Sequence, residues 1–157
     1  MKKRIFQILL AIIIFMVSNV IASLYGNYFR RLVRYFFQYS TDGNITFIGK
    51  NFHLFESAEF GISFGLFSIF VFYTFKEFNS QRKIMSGIII FLLFIVSTFI
   101  MCYFESNSRI IECTACDDGK LNINYNSINY DSIFITSLVI SVFPFLINYI
   151  RAFVAKK

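Results

Sequence analysis

The sequence predicts an all-α integral membrane protein, a four-transmembrane-helix bundle with a small extracytoplasmic cap containing short β-strands. Three observations carry this. Apolar residues make up 57% of the 157-residue chain and charged residues 15%, against roughly 45–50% and about 25% in soluble domains. Four long apolar runs, 5–25, 60–75, 84–104 and 132–150, contain no Asp, Glu, Lys, Arg or His. The stretches between them carry turn and strand signals. A water-soluble chain this short has too little interior to hide four such runs.

A helix needs about 20 residues to cross the hydrocarbon core, with about 17 as the lower limit. The first run, 5–25, follows Lys2, Lys3 and Arg4. That start also suits a secretory signal, but the apolar stretch exceeds the usual length of about 7–15 residues, so a retained anchor is expected. The second run reaches spanning length when its first turn enters near Ser57, giving 57–75. On it Ser57, Gly61, Gly65 and Ser68 fall along one helix face. In lipid, helices associate where small residues let backbones approach. The expected contact is another helix of the same bundle, and a homodimer seam is the alternative. The third span is 84–104. The fourth, 132–150, contains Pro144 one turn after Ser141, and a bend is expected there. The chain is thus expected to form one membrane domain, with outer loops at 26–56 and 105–131.

Basic residues set the orientation. With the N-terminus inside, Lys2, Lys3, Arg4, Lys76, Arg82, Lys83, Arg151, Lys156 and Lys157 are cytoplasmic, nine in all. Arg30, Arg31, Arg34, Lys50, Arg109 and Lys120, six in all, are outside. Both termini are therefore expected in the cytoplasm, with the chain a multi-pass protein of the cell (inner) membrane. The net charge of +6 is scattered beside the apolar runs instead of forming one stripe, which argues against nucleic acid and for lipid headgroups.

The first outer loop opens with NYFRRLVRYFFQY. Phe29, Leu32, Val33, Phe36 and Phe37 recur at helical spacing. Arg30, Arg31 and Arg34 lie off that face. The pattern fits either a short helix lying in the membrane interface, its arginines on lipid phosphates, or a helix packed on the protein's own cap. Asp42-Gly43 then signals a turn, and residues 45–48 favour strand.

The second outer loop holds IIECTACDDGKLNINYN. Leu121, Ile123 and Tyr125 alternate with Asn122, Asn124 and Asn126, which predicts a strand with one covered face. Asp117-Asp118-Gly119 suits a tight turn, and the residues from Ile110 to Thr114 are expected as the opposing arm of a hairpin. The strand near Ile45 is expected to join the same small sheet.

Cys113 and Cys116 lie in that loop, and Cys102 lies near the outer end of the third span. In an oxidising compartment a disulfide is the default. Residues three apart in a regular strand sit about 10 Å apart, beyond the reach of a bridge. Either the chain turns at Thr114-Ala115, or one of the pair bonds Cys102. A thiol-exchanging pair is the alternative, and in topology the chain resembles four-span membrane oxidoreductases that pass electrons from such pairs to a quinone. It departs from them in two respects. Cys116 stands about 15 residues before the fourth span, and a second dedicated pair is missing. The acidic neighbours Glu112, Asp117 and Asp118 also work against a thiolate. A zinc site would need a second pair of ligands, and no metal or cofactor is expected.

The spans lack the ionisable groups of proton relays and charged-substrate transporters. Phosphate-binding and nucleophile motifs are missing as well. The expected function is non-enzymatic. Besides the lipid bilayer, the expected partner is another membrane or extracytoplasmic protein, bound or stabilised through the cap, as in a membrane-complex subunit or a protective, immunity-like protein. The enzymatic alternative is thiol-disulfide oxidoreduction through Cys113 and Cys116.

Overall fold

The structure, a computed structural model, describes residues 2–49, 58–76, 79–112 and 120–154. The four apolar runs lie in four long helices: α1 at Lys2–Ser40, α2 at Ala58–Phe75, α3 at Ser80–Glu112 and α4 at Tyr130–Val154. Each is long and apolar enough to cross a membrane. Their apolar windows are only 11% to 33% buried within the chain, and Ile5, Phe6, Leu9, Phe91 and Leu92 stand on the outside. Contiguous apolar surface on this scale is foreign to soluble monomers and consistent with a multi-pass membrane protein.

Two helices, α1 and α3, run well beyond the expected spans. α1 has 39 residues, about 58 Å at 1.5 Å per residue. The separate interfacial helix does not form, because the chain continues as one helix through Arg30, Arg31 and Arg34. The reason lies in its apolar face. Phe29, Val33 and Phe37 are buried in the core that includes Ile45, Ile123 and Phe134, so this face packs on the protein itself. α3 likewise passes Phe104 and ends at Glu112. Thr98, Cys102 and Ser106, spaced by four, are all fully buried, and the Ser106 and Ser40 hydroxyls share a 2.7 Å hydrogen bond.

This continuation overturns the hairpin. The segment starting at Ile110, expected as an extended arm, is helical as far as Glu112. The strand near Ile45 does join the sheet, as expected: β1, Ile45–Ile48, is the partner of β2, Leu121–Asn124. They pair in parallel, with Ile45 opposite Leu121 and Phe47 opposite Ile123. The topology explains the direction. α1 and α3 run the same way, since Phe29 meets Phe94, Phe36 meets Phe99 and Ser40 meets Ser106 in ascending order. Each strand follows one of these two helices. The chain between the strands contains α2 and α3, the kind of crossover a parallel pair requires.

After α1 the chain reverses through Asp42 (φ 49°) and Gly43 (φ 78°). The Gly43 N–H donates to the Gln38 carbonyl at 2.9 Å, and glycine accepts this left-handed conformation without a Cβ penalty.

The helices are joined at one level by four phenylalanines, one from each. Phe29 lies 5.8, 5.9 and 5.0 Å from Phe60, Phe94 and Phe134, and Phe60 lies 3.9 Å from Phe134 (ring centroids). Toward the other end α2 packs closely on α1. A Cβ on Gly61 would stand 2.5 Å from Asn19 Oδ1, and one on Gly65 would stand 2.6 Å from the Phe15 ring. α3 meets α4 through Ser97, whose hydroxyl donates to the Ser137 carbonyl at 3.3 Å. α4 continues through Pro144, and the buried Ser141 hydroxyl donates to the Leu138 carbonyl at 2.7 Å.

Asn129 opens α4. Its Oδ1 accepts the Ser132 N–H at 3.0 Å, and its carbonyl accepts the Ile133 N–H. Capping of this kind is worth about 1 kcal/mol. Asn129→Ala is therefore expected to lower stability by about 1 kcal/mol, read as a shift in the unfolding midpoint of the purified protein, while Asn129→Asp retains most of it.

Candidate interaction surface

Among the described residues, the end of the bundle that carries the sheet gathers an ion pair, cation–aromatic contacts and several side-chain hydrogen bonds. One face of the sheet presents Ile45 and Phe47 beside Leu121 and Ile123, and Ile45 and Ile123 are buried. The other face carries Thr46 opposite Asn122, and the Thr46 hydroxyl bonds the Asn122 side-chain oxygen. β2 runs into a short 3-10 turn, Tyr125–Ser127, capped by Asn124 through a 3.1 Å bond from the Asn126 N–H. Arg109 of α3 holds this turn. Its Nη2 donates to Glu105 Oε1 at 2.9 Å and to the Ser127 carbonyl at 2.8 Å.

The three arginines of α1 sit beside this assembly. The Arg34 guanidinium lies over the Tyr125 ring at 4.7 Å, and Tyr125 in turn stacks on Phe47 at 5.8 Å. Arg30 lies over Tyr130 at 5.7 Å. Both cations face aromatic rings of the chain's own cap, an attraction of about 1 kcal/mol each at partly exposed sites. Arg31 points away, exposed, 5.9 Å over the Tyr28 ring. On the same outward side Tyr28, Tyr35 and Tyr39 are each more than 60% exposed. Their spacing of seven and four keeps them on one helix face. These tyrosines are not among the functional residues expected from the sequence, although their spacing of seven and four is visible there.

The cysteines divide. Cys102 is fully buried in the core between the helices and has a free thiol. Cys113 and Cys116 lie outside the described residues, as do Ser57 and Asp117-Asp118-Gly119, where a tight turn was expected. Among the described residues no three His, Cys, Asp or Glu side chains gather as a metal site. Of the small-residue stripe on α2, Gly61 and Gly65 face α1, and the Ser68 hydroxyl donates within its own helix to the Phe64 carbonyl.

Comparison of the chain with protein-family models, with curated protein sequences and with solved structures returned no match.

Proposed function

We propose that the chain is a non-enzymatic multi-pass membrane protein, both termini cytoplasmic, whose sheet-bearing cap lies outside and binds or stabilises a partner protein. The observation that supports this most directly is the build of α1. At about 58 Å it outreaches a bilayer of about 40–45 Å. Its sheet-bearing end is fixed by the buried Phe29, Val33 and Phe37 and presents Tyr28, Arg31, Tyr35 and Tyr39 outward. Tyrosine and arginine on a rigid support are the residue types that dominate protein interfaces. Arg31 at the membrane border also suits a lipid phosphate.

Site-specific photo-crosslinking in cells tests the proposal. A photoreactive residue at Tyr35 or Tyr39 is expected to give a discrete covalent protein adduct, and the same residue at the lipid-facing Leu9 is expected to give none. A reporter at Lys157 is expected to be accessible only from the cytoplasm. Lack of any adduct at both tyrosines, or an external Lys157, would refute it.

Cys113 and Cys116 are assigned to each other as a disulfide. Support comes from Cys102, which is committed to the helical core as a free thiol. Alkylation of the denatured, unreduced chain is then expected to modify one thiol, and after reduction three. Three modified thiols without reductant would remove the disulfide. A pair that cycles with added quinone would transfer the reading to thiol-disulfide oxidoreduction.

A further inference from the structure

We infer that the bundle is a hinged pair of helical hairpins, α1–α2 and α3–α4, pinned together at the sheet-bearing end and latched at the other by Phe75 and Phe145; this rests on the membrane reading above. Each hairpin is fastened internally. Along α1 and α2 the Phe60 ring lies against Gly26, Gly61 and Gly65 seat Asn19 and Phe15, and the Tyr73 hydroxyl donates to the Gln7 carbonyl at 2.9 Å. Between α3 and α4, Phe94 meets Phe134 edge to face at 5.7 Å, and Ser97 donates to the Ser137 carbonyl. Arg109 of α3 also donates to the Ser127 carbonyl in the turn before α4. The hairpins are pinned to each other toward the sheet. There Phe29 lies against Phe94 and Phe134, Phe36 against Phe99, Ser40 is bonded to Ser106, and β1 pairs with β2.

Farther from the sheet the boundary between the hairpins is open on both sides of α2. A 360 Å³ groove separates α2 from α4, with Leu66 and Phe70 on one wall and Val139 and Val142 on the other. A 370 Å³ groove separates α2 from α3, where Phe67 and Val71 face Gly87 and Phe91. The larger groove along α1 and α2 belongs to one hairpin and is crossed by the Tyr73–Gln7 bond. At the foot of the two boundary grooves Phe75 of α2 meets Phe145 of α4 edge to face at 5.8 Å. The forces that hold this end closed are small. One edge-to-face ring pair shifts an equilibrium about fivefold. The groove walls gain nothing by meeting, because lipid solvates them as well as they solvate each other. Pro144, the residue before Phe145, has no N–H to offer the Ile140 carbonyl, so α4 bends most easily where it carries the latch ring. Opening the sheet-bearing end would instead break the strand ladder, the Ser40–Ser106 bond and the four-ring contact. The hairpins therefore pivot at the sheet, in the manner of a hinge motion. The pivot is also the end that presents Tyr28, Tyr35 and Tyr39, so the proposed partner surface stays fixed while the far end opens and closes.

The test measures electron-spin distances between paired nitroxides in the full-length protein, reconstituted into phosphatidylcholine vesicles. The labels are carried on introduced keto-bearing residues, which leave the three cysteines untouched. One pair, at Phe72 and Ile88, spans the two hairpins at the far end. The other, at Tyr35 and Phe104, spans them at the sheet-bearing end. All four positions are exposed. The far pair is expected to give a short and a long distance, and the sheet-end pair one narrow distance. Phe145→Ala is expected to raise the ratio of long to short at the far pair about fivefold. Phe75→Ala is expected to do the same, and the double variant no more than either single one, because the two rings act as one contact. The sheet-end distance stays unchanged in all three variants and reports an intact fold. A single far-end distance unmoved by either substitution would overturn the inference. So would a sheet-end distance that broadens together with the far one, since the hairpins would then loosen without a pivot. Failure of the protein to float with the vesicles would instead refute the membrane reading itself.

Discussion

Gly65→Leu is expected to separate α2 from α1 and to cost 3 kcal/mol or more, at the upper end of the ~1–3 kcal/mol that overpacking usually takes. Even a methyl group at this position would stand 2.6 and 2.7 Å from two carbons of the Phe15 ring and 2.8 Å from Asn19 Nδ2. Neither neighbour is placed to yield freely. Asn19 Nδ2 donates to the Phe15 carbonyl at 3.0 Å, and the Asn19 carbonyl accepts the Ser23 hydroxyl at 2.9 Å. In lipid no hydrophobic force returns separated helices to contact, because the acyl chains solvate them equally well. The loss should appear as a lowered midpoint for reversible unfolding in mixed micelles. Gly87→Ala serves as the contrast, being neutral or slightly stabilising, since a Cβ at Gly87 meets nothing within 4 Å. The pair of variants also separates the two roles a Gly-x-x-x-Gly can play. If Gly65→Leu left the monomer as stable as before and dissociated a dimer, the glycines would belong to a seam between copies.

The four long apolar helices were legible because the rule that produces them is local: a run of apolar residues without charges is visible without knowing the fold. Helix ends were less legible, for a physical reason. Arg30, Arg31 and Arg34 interrupt the apolar run in the sequence, but a helix does not have to stop at charged residues. α1 continues because Phe29, Val33 and Phe37 have a protein surface to bury against. The spacing of those residues was visible, and the choice between membrane surface and the protein's own cap was not. α3 shows the same limit. Thr98, Cys102 and Ser106 form a stripe of small residues at intervals of four, which could have carried the helix past Phe104, yet the Asp-Asp-Gly signal favoured a hairpin. The strand at Leu121 was legible from its alternation. That the strand near Ile45 shares its sheet was legible too; that the two pair directly and in parallel was not, because Ile45 lies 76 residues away and only the shared direction of α1 and α3 sets that pairing. At the candidate surface, the three arginines stood out in the sequence as cations. That two of them would lie over Tyr125 and Tyr130 follows from tertiary structure alone.

Phe37→Ala is expected to unravel the cap while leaving the apolar helices in place. Phe37 is fully buried, and it lies at the junction of α1, the sheet and α3. Its ring stands 6.4 Å from that of Phe47 in β1. Its carbonyl accepts the Thr41 hydroxyl at 2.8 Å and the Ser40 hydroxyl at 3.1 Å, so the backbone beneath the side chain also anchors the turn into β1. Truncating a buried phenylalanine costs about 3–5 kcal/mol. The rest of the cap has little to set against that loss: two strands of four residues each are marginal without a packed face. A truncation of the exposed Leu9, in the apolar half of α1, removes no protein contact of this kind. Hydrogen exchange separates the two cases. In Phe37→Ala the amides of 45–48 and 121–124 are expected to exchange much faster than in the parent, and those of α2 and of the half of α3 remote from the sheet to stay protected. Unchanged protection across both strands would mean that the sheet does not depend on the sheet-bearing half of α1, and with it would go the rigid support on which the exposed Tyr28, Tyr35 and Tyr39 are proposed to meet a partner.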